Sequence, residues 1–182
     1  MKFLSFCLLI CFAFISCNKP DHGKTIGRID SLLLVVDSLE KKFSEIQADT
    51  LRYYFLKSKS NIDTINSLLG KQIPDAVFMQ SYGVYTLVFR NLKRGLPLIE
   101  RMGKELGYSR KQLETLRFDL KEGNIEPDSL VERYFLDEKF AVDKIQSELF
   151  LKVSLLPSQV NDMKNSEKVV MEYKEKLKRK KK

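Results

Sequence analysis

Side chains able to carry out acid–base, nucleophilic or metal chemistry are few, and they lie close to the start of the chain. His22 is the only histidine among 182 residues, and Cys7, Cys11 and Cys17 all precede it. No His-x-x-x-His, Cys-x-x-Cys or calcium-loop spacing occurs, so the ligand patterns of common metal sites are missing. A hydroxyl nucleophile in the rest of the chain would have no histidine base. We therefore predict no catalytic residues, no metal site and no cofactor, in a protein that is not an enzyme.

The remaining polar and aromatic patterns have simpler explanations. Glu100 with Glu105, and Glu122 with Glu126, are carboxylate pairs typical of solvated helix faces and caps. The eight glycines are scattered and form no phosphate-binding loop. Four aromatic residues at steps of three and four could line a ligand groove or fill a core: Phe78, Tyr82, Tyr85 and Phe89. Such strict spacing is more typical of a core.

Residues 1–16 have the organisation of an export signal. Lys2 supplies one positive charge, an apolar run extends to Ile15, and the small Ser16 precedes a polar stretch that begins at Asn18. The apolar run is too short for a permanent membrane span. We predict that this segment is removed by cleavage between Ser16 and Cys17.

The four residues at the predicted cleavage site carry a family resemblance. Phe14-Ile15-Ser16-Cys17 resembles the lipobox of bacterial lipoproteins and departs from its commonest form by having Phe14 where leucine is usual. The resemblance implies that the Cys17 sulfur receives a diacylglycerol and that Cys17 becomes the first residue of the mature chain, with a membrane as its partner. The alternative is an ordinary export signal in which Cys17 is one more small apolar residue.

The residues after Cys17 bear on location and stability. In lipoproteins of this kind an Asp directly after the cysteine favours the inner membrane, so Asn18 implies lipid anchoring in the outer membrane. The stretch that follows has mixed charge and no acidic cluster, which implies that the protein faces the periplasm. We predict that residues 17–24 form a flexible tether. No cysteine follows Cys17, so a disulfide framework is excluded.

Positive charge is concentrated at the end of the chain. The formal net charge of +8 becomes +7 without Lys2, and residues 174–182 hold +6 of it. We expect this basic tail to be frayed or disordered at its end. Behind an export signal we expect no nucleic-acid partner. The anionic partners within reach there are anionic lipid and cell wall. The predicted contacts with an anionic surface are Lys176, Lys178, Arg179, Lys180, Lys181 and Lys182. The alternative is a solubilising helix end whose cations complement the helix dipole.

Apolar residues at steps of three and four predict helices throughout residues 25–173. The first, over 25–69 with Thr25 as N-cap and Gly70 as its stop, carries these seam residues: Ile29, Leu32, Val36, Leu39, Phe43, Ile46, Thr50 and Tyr53. After Tyr53 we expect this register to shift through Leu56. The second seam begins at Phe78 and crosses Pro97 to Leu106. Residues 81–89 are rich in strand formers, but a lone strand would have no partner.

A capping box at Ser109 and Gln112 predicts a separate short helix over 110–122, ended by Gly123. From Asp128 onward ten apolar residues share one face across Pro157: Val131, Phe135, Val142, Ile145, Leu149, Leu156, Val160, Met163, Val170 and Leu177. Further apolar residues predict a wider face with several neighbours: Leu130, Tyr134, Leu136, Phe140 and Phe150. The predicted fold is all-α: an elongated antiparallel bundle of three long helices with coiled-coil-like seams. Two helices are kinked by proline, and the 110–122 helix packs alongside.

Two functions follow from this sequence. The first is a non-catalytic, lipid-anchored interaction module or scaffold of the periplasm, which docks helix to helix with an envelope protein or a second copy. The second is a structural tether that links the membrane to cell wall or another anionic surface through the basic tail. For the second, the chain is similar to the small helical murein lipoproteins in its lipidated start, its heptads and a final lysine, Lys182.

Overall fold

The computed structural model describes residues 22–70, 72–124 and 128–181. Within them the chain forms α1 (Gly23–Ser44), α2 (Ala48–Leu69), α3 (Ala76–Glu122), α4 (Asp128–Glu148) and α5 (Leu156–Lys181). A π-helical turn, Leu149–Val153, follows α4 directly. No strand occurs in the part of the chain that the structure describes. The predicted all-α helical bundle is therefore confirmed.

The bundle has three layers, each one helix thick and each in contact with the other two, and α3 alone forms the second layer. α1 and α2 follow one another along one side of α3, and α4, the π-helical turn and α5 follow one another along another side. At one end Arg28 of α1 meets Glu132 of α4, and at the other Lys180 of α5 approaches Gln72 in the loop before α3. With 47 residues, α3 is roughly 70 Å long at about 1.5 Å per residue. The bundle is elongated and antiparallel, as the sequence predicts.

The seams of the second and third layers are buried as their spacing predicts. Along α3, Phe78, Tyr85, Leu92 and Leu106 are at most 2% exposed. All ten residues of the predicted third face are buried too, from Val131 to Leu177. Residues 81–89 are helical, so the helical period decides over the strand preference of individual side chains.

The first layer is not a single helix. α1 ends at Ser44 and α2 begins at Ala48, so the predicted uninterrupted helix over 25–69 is wrong. The break moves the buried positions by one residue: Leu51 is 2% exposed, whereas Tyr53 is 57% exposed and Thr50 is exposed. A continuous helix would have placed the polar Thr50 in the core. The register shift predicted after Tyr53 thus occurs earlier, at residues 45–47.

The predicted separate helix over 110–122 is also wrong, because these residues are the last turns of α3. Ser109, expected to be an N-cap, is inside the helix and only 2% exposed. Packing against neighbouring helices holds the chain helical through this local start signal, since Leu113, Leu116 and Leu120 are all buried. Gly123 ends the helix in the left-handed conformation at φ 73°, as predicted.

The two prolines differ in their positions. α3 continues without interruption through Pro97, although this residue cannot donate the backbone hydrogen bond of its turn. Pro157 lies in the first turn of α5, where a missing N–H costs little. The third layer is interrupted just before it, by the π-helical turn and residues 154 and 155.

Gly95 allows α3 and α5 to approach closely. A Cβ atom at this position would lie 2.5 Å from Cδ1 of Leu156, a side chain that is 1% exposed. We expect Gly95→Val to lower the free energy of unfolding by about 1–3 kcal/mol through overpacking. The matched variant Gly107→Ala meets no atom within 4 Å, so it should raise stability by about 0.5–1 kcal/mol through helix propensity. Urea unfolding of both proteins measures the difference, and a stable Gly95→Val protein would contradict the close approach.

Candidate functional site

The two ends of the bundle are chemically different, and the antiparallel order of the helices decides which residues each end holds. The proximal end is defined by Gly23 at the start of α1 and Glu122 at the end of α3. The distal end, defined by the loop between α2 and α3 together with the last turns of α5, holds the basic segment. The start of α1 and the end of α5 are therefore separated by the length of α3.

The basic segment is helical over its described residues, 174–181, where the end had been expected to be frayed or disordered. α5 continues to Lys181, and its inner side belongs to the core, with Leu177 2% exposed. Four predicted surface contacts are exposed together on these turns: Lys176, Lys178, Arg179 and Lys180. The side chain of Lys181 and all of Lys182 lie outside the described residues. A folded helix holds these cations in a fixed arrangement.

One basic residue of this segment is not part of the exposed group. Lys174 is 9% exposed and its Nζ donates to Oδ1 of Asn61 at 2.7 Å. Asn61 in turn donates from Nδ2 to the Tyr85 hydroxyl at 2.9 Å. This chain of bonds joins α5, α2 and α3 through polar groups that burial would otherwise leave unpaired. Lys174 thus fixes α5 in register at the distal end.

Ionic and aromatic contacts reinforce the same end. Lys57 of α2 pairs with Glu167 of α5 at 2.7 Å, and this hydrogen bond raises the pKa of Lys57 above its usual value. Burial raises the pKa of the Tyr85 hydroxyl. Phe78 stacks on Tyr173 with ring centroids 3.9 Å apart. The aromatic run of α3 therefore packs between helices, and its interpretation as core is the one that fits.

Ser16 and Cys17, the predicted cleavage and lipid-attachment residues, lie outside the described residues, so both remain predictions. α1 begins at Gly23 with His22 at its N-cap, which places residues 23 and 24 of the predicted tether in the bundle and shows that Thr25 is not the cap. In the described ranges no cluster of three His, Cys, Asp or Glu side chains could hold a metal ion. Among the helices described, none has the length and apolar character needed to cross a membrane.

The wider apolar face predicted for the third layer is wrong. Four of its five extra members are exposed by 45–74%: Tyr134, Leu136, Phe140 and Phe150. The buried face of α4 and α5 is a narrow seam, and these side chains are left on the surface. Sequence spacing could have shown this for Leu136, Phe140 and Phe150, because none of them is three, four or seven residues from Val131, Phe135, Val142 or Ile145. Tyr134, three residues after Val131, is the exception.

Sequence reasoning also missed a partly buried carboxylate between α3 and α4. Glu138 borders a groove of about 300 Å³ that Tyr108 and Tyr134 line. Its Oε2 atom is buried and has no hydrogen-bond partner among the described residues. Burial raises the pKa of Glu138, and Asp137 adds to the effect while a hydrogen bond from Ser109 opposes it. No single-helix pattern marks this residue, because its burial depends on α3.

We expect Glu138→Gln to stabilise the protein near pH 7. A raised pKa means that the folded state disfavours the ionised carboxylate. This destabilisation is absent below the unfolded pKa of about 4.3 and present well above it. Because the side chain is partly solvated, the gain should be below about 1 kcal/mol. Thermal melts at pH 7 and pH 4 measure it, with the same change at the exposed Glu45, Glu45→Gln, as control. A gain of equal size at both pH values would show that charge burial is not the cause.

Comparison with known proteins adds no relative from which a function could be transferred. The chain matches no protein-family model, no curated protein and no solved structure. Its function must therefore be inferred from its own residues.

Proposed function

We propose that this protein is a lipid-anchored, non-catalytic rod of the bacterial cell envelope, which acts by contact with other envelope components in the periplasm. The observation that carries the proposal is the position of the two ends. The predicted anchor, Cys17, lies a few residues before the proximal end, and the exposed cations of α5 lie at the distal end. The α3 helix between them is roughly 70 Å long.

Side-chain contacts between the layers support a stiff spacer. Arg110 of α3 donates from Nε and Nη2 to the two carboxylate oxygens of Glu40 at 2.9 and 2.8 Å, and this bidentate bond raises the pKa of Arg110. Arg28 makes a similar two-bond contact with Glu132. Such forked geometry fixes direction as well as distance. A rigid rod holds its surface at a defined height above the membrane in which it is anchored.

Fractionation of cells tests this proposal. We expect the full-length protein in the outer-membrane fraction, resistant to high salt and released by detergent. A protein that stays in the cytosol, or that salt alone releases, would contradict the lipid-anchored rod. Digestion of the wall before extraction separates docking from covalent attachment through Lys182, since only a covalently attached protein needs it.

A second candidate function is a tether between the anchoring membrane and an anionic surface, which the distal position of the cations favours. The helical α5 presents Lys178, Arg179 and Lys180 about one rod length from the anchor. Cations near an anionic surface add attraction that salt screens. The same helix carries Glu175, whose pKa is lowered mainly by a hydrogen bond from Lys178. This single carboxylate offsets only part of the positive charge at the end of α5.

We expect simultaneous Lys178→Gln, Arg179→Gln and Lys180→Gln substitutions to leave folding and anchoring intact. Salt-sensitive co-sedimentation with purified cell wall or phosphatidylglycerol vesicles should fall at least several-fold. Three exposed lysines elsewhere provide a control of equal charge: Lys41, Lys42 and Lys59. An equal decrease in both triple variants would show that total charge matters rather than the distal end, and no decrease would leave docking as the only function.

A further inference from the structure

The π-helical turn and the two residues after it place three large apolar side chains on the surface near the middle of the rod. Phe150 is 72% exposed, Leu151 69% and Leu155 54%. Isolated exposed apolar residues are common, but Leu151 and Leu155 line one groove against α3, while Phe150 lines another against α1. π-helical turns are rare and are frequently found at functional sites. Here the buried seam continues through the turn, since Leu149, Val153 and Leu156 are at most 4% exposed. Leu151 and Leu155, four residues apart, lie on the outer side.

A groove lies between this turn and α3, and we call it the π groove. It has a volume of about 350 Å³, and its apolar lining comes from Leu98, Leu151 and Leu155. At one side Asn91 donates to Gln159 across it at 3.0 Å. Leu87, 50% exposed, lies on the same face of α3 as Leu98, about three helical turns away. The π groove together with this face offers a surface long enough for about three turns of a docked helix.

The rim of the π groove is positively charged. Arg94 borders it, and Arg90 lies one turn earlier on α3. Both side chains are exposed, and neither makes an ion pair with any residue in the described ranges. On the opposite rim Lys152 is paired with Glu148 at 3.1 Å. Elsewhere along α3 arginines such as Arg110 and Arg117 are paired with carboxylates of α1. The unpaired cations at the π groove lack that complement.

We propose that the π groove docks an acidic amphipathic helix of an envelope partner protein. Apolar residues of the partner at steps of three and four would cover Leu98, Leu151 and Leu155, and its flanking carboxylates would pair with Arg90 and Arg94. The inference rests on the proposed function, because it assumes a rod that acts by contact in the periplasm. It adds the surface and the chemistry of the partner.

Two other occupants fit the surface less well. A second copy related by two-fold symmetry would bring Arg94 toward Arg94, and like charges across an interface are repulsive. A bilayer would have to cover the hydrogen-bonded amides of Asn91 and Gln159, which are polar groups in a concave surface. A helix with acidic flanks satisfies both the apolar and the charged parts of the π groove.

Site-specific photocrosslinking in the cells that make the protein tests the proposal. A benzoylphenylalanine at Leu151 is the probe, and one at Leu34, which is also 69% exposed but lies on α1, is the control. We expect Leu151 to yield an adduct with one protein, whose crosslinked peptide carries apolar residues at helical spacing flanked by Asp or Glu. The adduct should decrease at least tenfold with Arg94→Glu and about twofold or less with Arg94→Lys. Circular dichroism checks that each variant is folded.

Each outcome decides the inference. An adduct with an acidic amphipathic segment that depends on the sign of charge at residue 94 supports it. An adduct with lipid, an adduct with a second copy, a partner segment without acidic flanks, or the absence of an adduct specific to Leu151 overturns it. In each of these cases, fractionation of the same strain shows whether the protein is in the outer membrane, which tests the proposed lipid-anchored rod separately.

Discussion

Leu92→Asp is expected to abolish the folded state. Leu92 is fully buried in α3 at 0% exposure. Nearby, Phe89 stacks on Phe55 of α2 and Asn91 donates to Gln159 of α5. A carboxyl group without a hydrogen-bond partner there costs several kcal/mol, even when it is protonated and uncharged. Since a domain of this size is stabilised by only about 5–15 kcal/mol, that cost removes most of its stability. Circular dichroism should show loss of most helical signal at 25 °C, or a melting temperature lower by well over 10 °C.

Leu87→Asp is the matched control for this prediction. It makes the same chemical change on the same helix, five residues earlier, where the side chain is 50% exposed. Its melting temperature should stay within a few degrees of that of the unmodified protein, because a half-exposed charge stays hydrated. Equal destabilisation by the two variants would show that the two faces of α3 are not distinguished as the structure has them.

Cys17→Ala is expected to remove the protein from the membrane altogether. The thiol is the only group in the lipobox-like segment that could carry the diacylglycerol, so the variant should lose all labelling by a palmitate analogue. Without the lipid it should leave the detergent phase and be found as an unprocessed precursor or a soluble protein. Ser16→Ala retains a small residue before the cysteine and should label nearly as well as the original. Labelled, detergent-partitioning Cys17→Ala protein would show that Phe14-Ile15-Ser16-Cys17 is not a lipobox.

The buried faces of the helices could be predicted because their spacing is a local property of the chain. Residues such as Val142, Ile145 and Leu149 repeat at steps of three and four, and a helix with this repeat has one apolar side whatever its neighbours are. The ends of α2 and α3 at Gly70 and Gly123 were also predictable from local sequence. Both glycines adopt positive φ, which glycine tolerates better than other residues.

Features that depend on neighbouring helices could not be predicted from one sequence. The buried positions shift by one residue between Phe43 of α1 and Leu51 of α2, and the break at residues 45–47 compensates for this shift. The need for it becomes apparent only when both helices pack on α3. Ser109 follows the pattern of a cap, yet packing keeps the helix continuous there. Lys174 is buried because Asn61, 113 residues earlier, accepts its hydrogen bond.

The candidate sites show the same division. Exposed cations near the end of the chain are visible from composition, but their distance from Cys17 follows from the antiparallel topology. The π groove requires Arg94 of α3 and Leu151 of the π-helical turn to border the same space, and no spacing within either element indicates it. The lipobox resemblance, by contrast, is carried entirely by adjacent residues.

Energy transfer between the rod and a membrane tests the central claim most directly. The protein purified from the membrane fraction is reconstituted into neutral phosphatidylcholine vesicles that carry an acceptor dye at their surface, with a donor dye on a cysteine introduced by Lys24→Cys or Arg179→Cys. The account predicts strong transfer from position 24, next to the anchor, and almost none from position 179, about 70 Å further along the rod. Equal transfer from both positions, or transfer from neither, would contradict a lipid-anchored rod that holds its basic end away from the membrane.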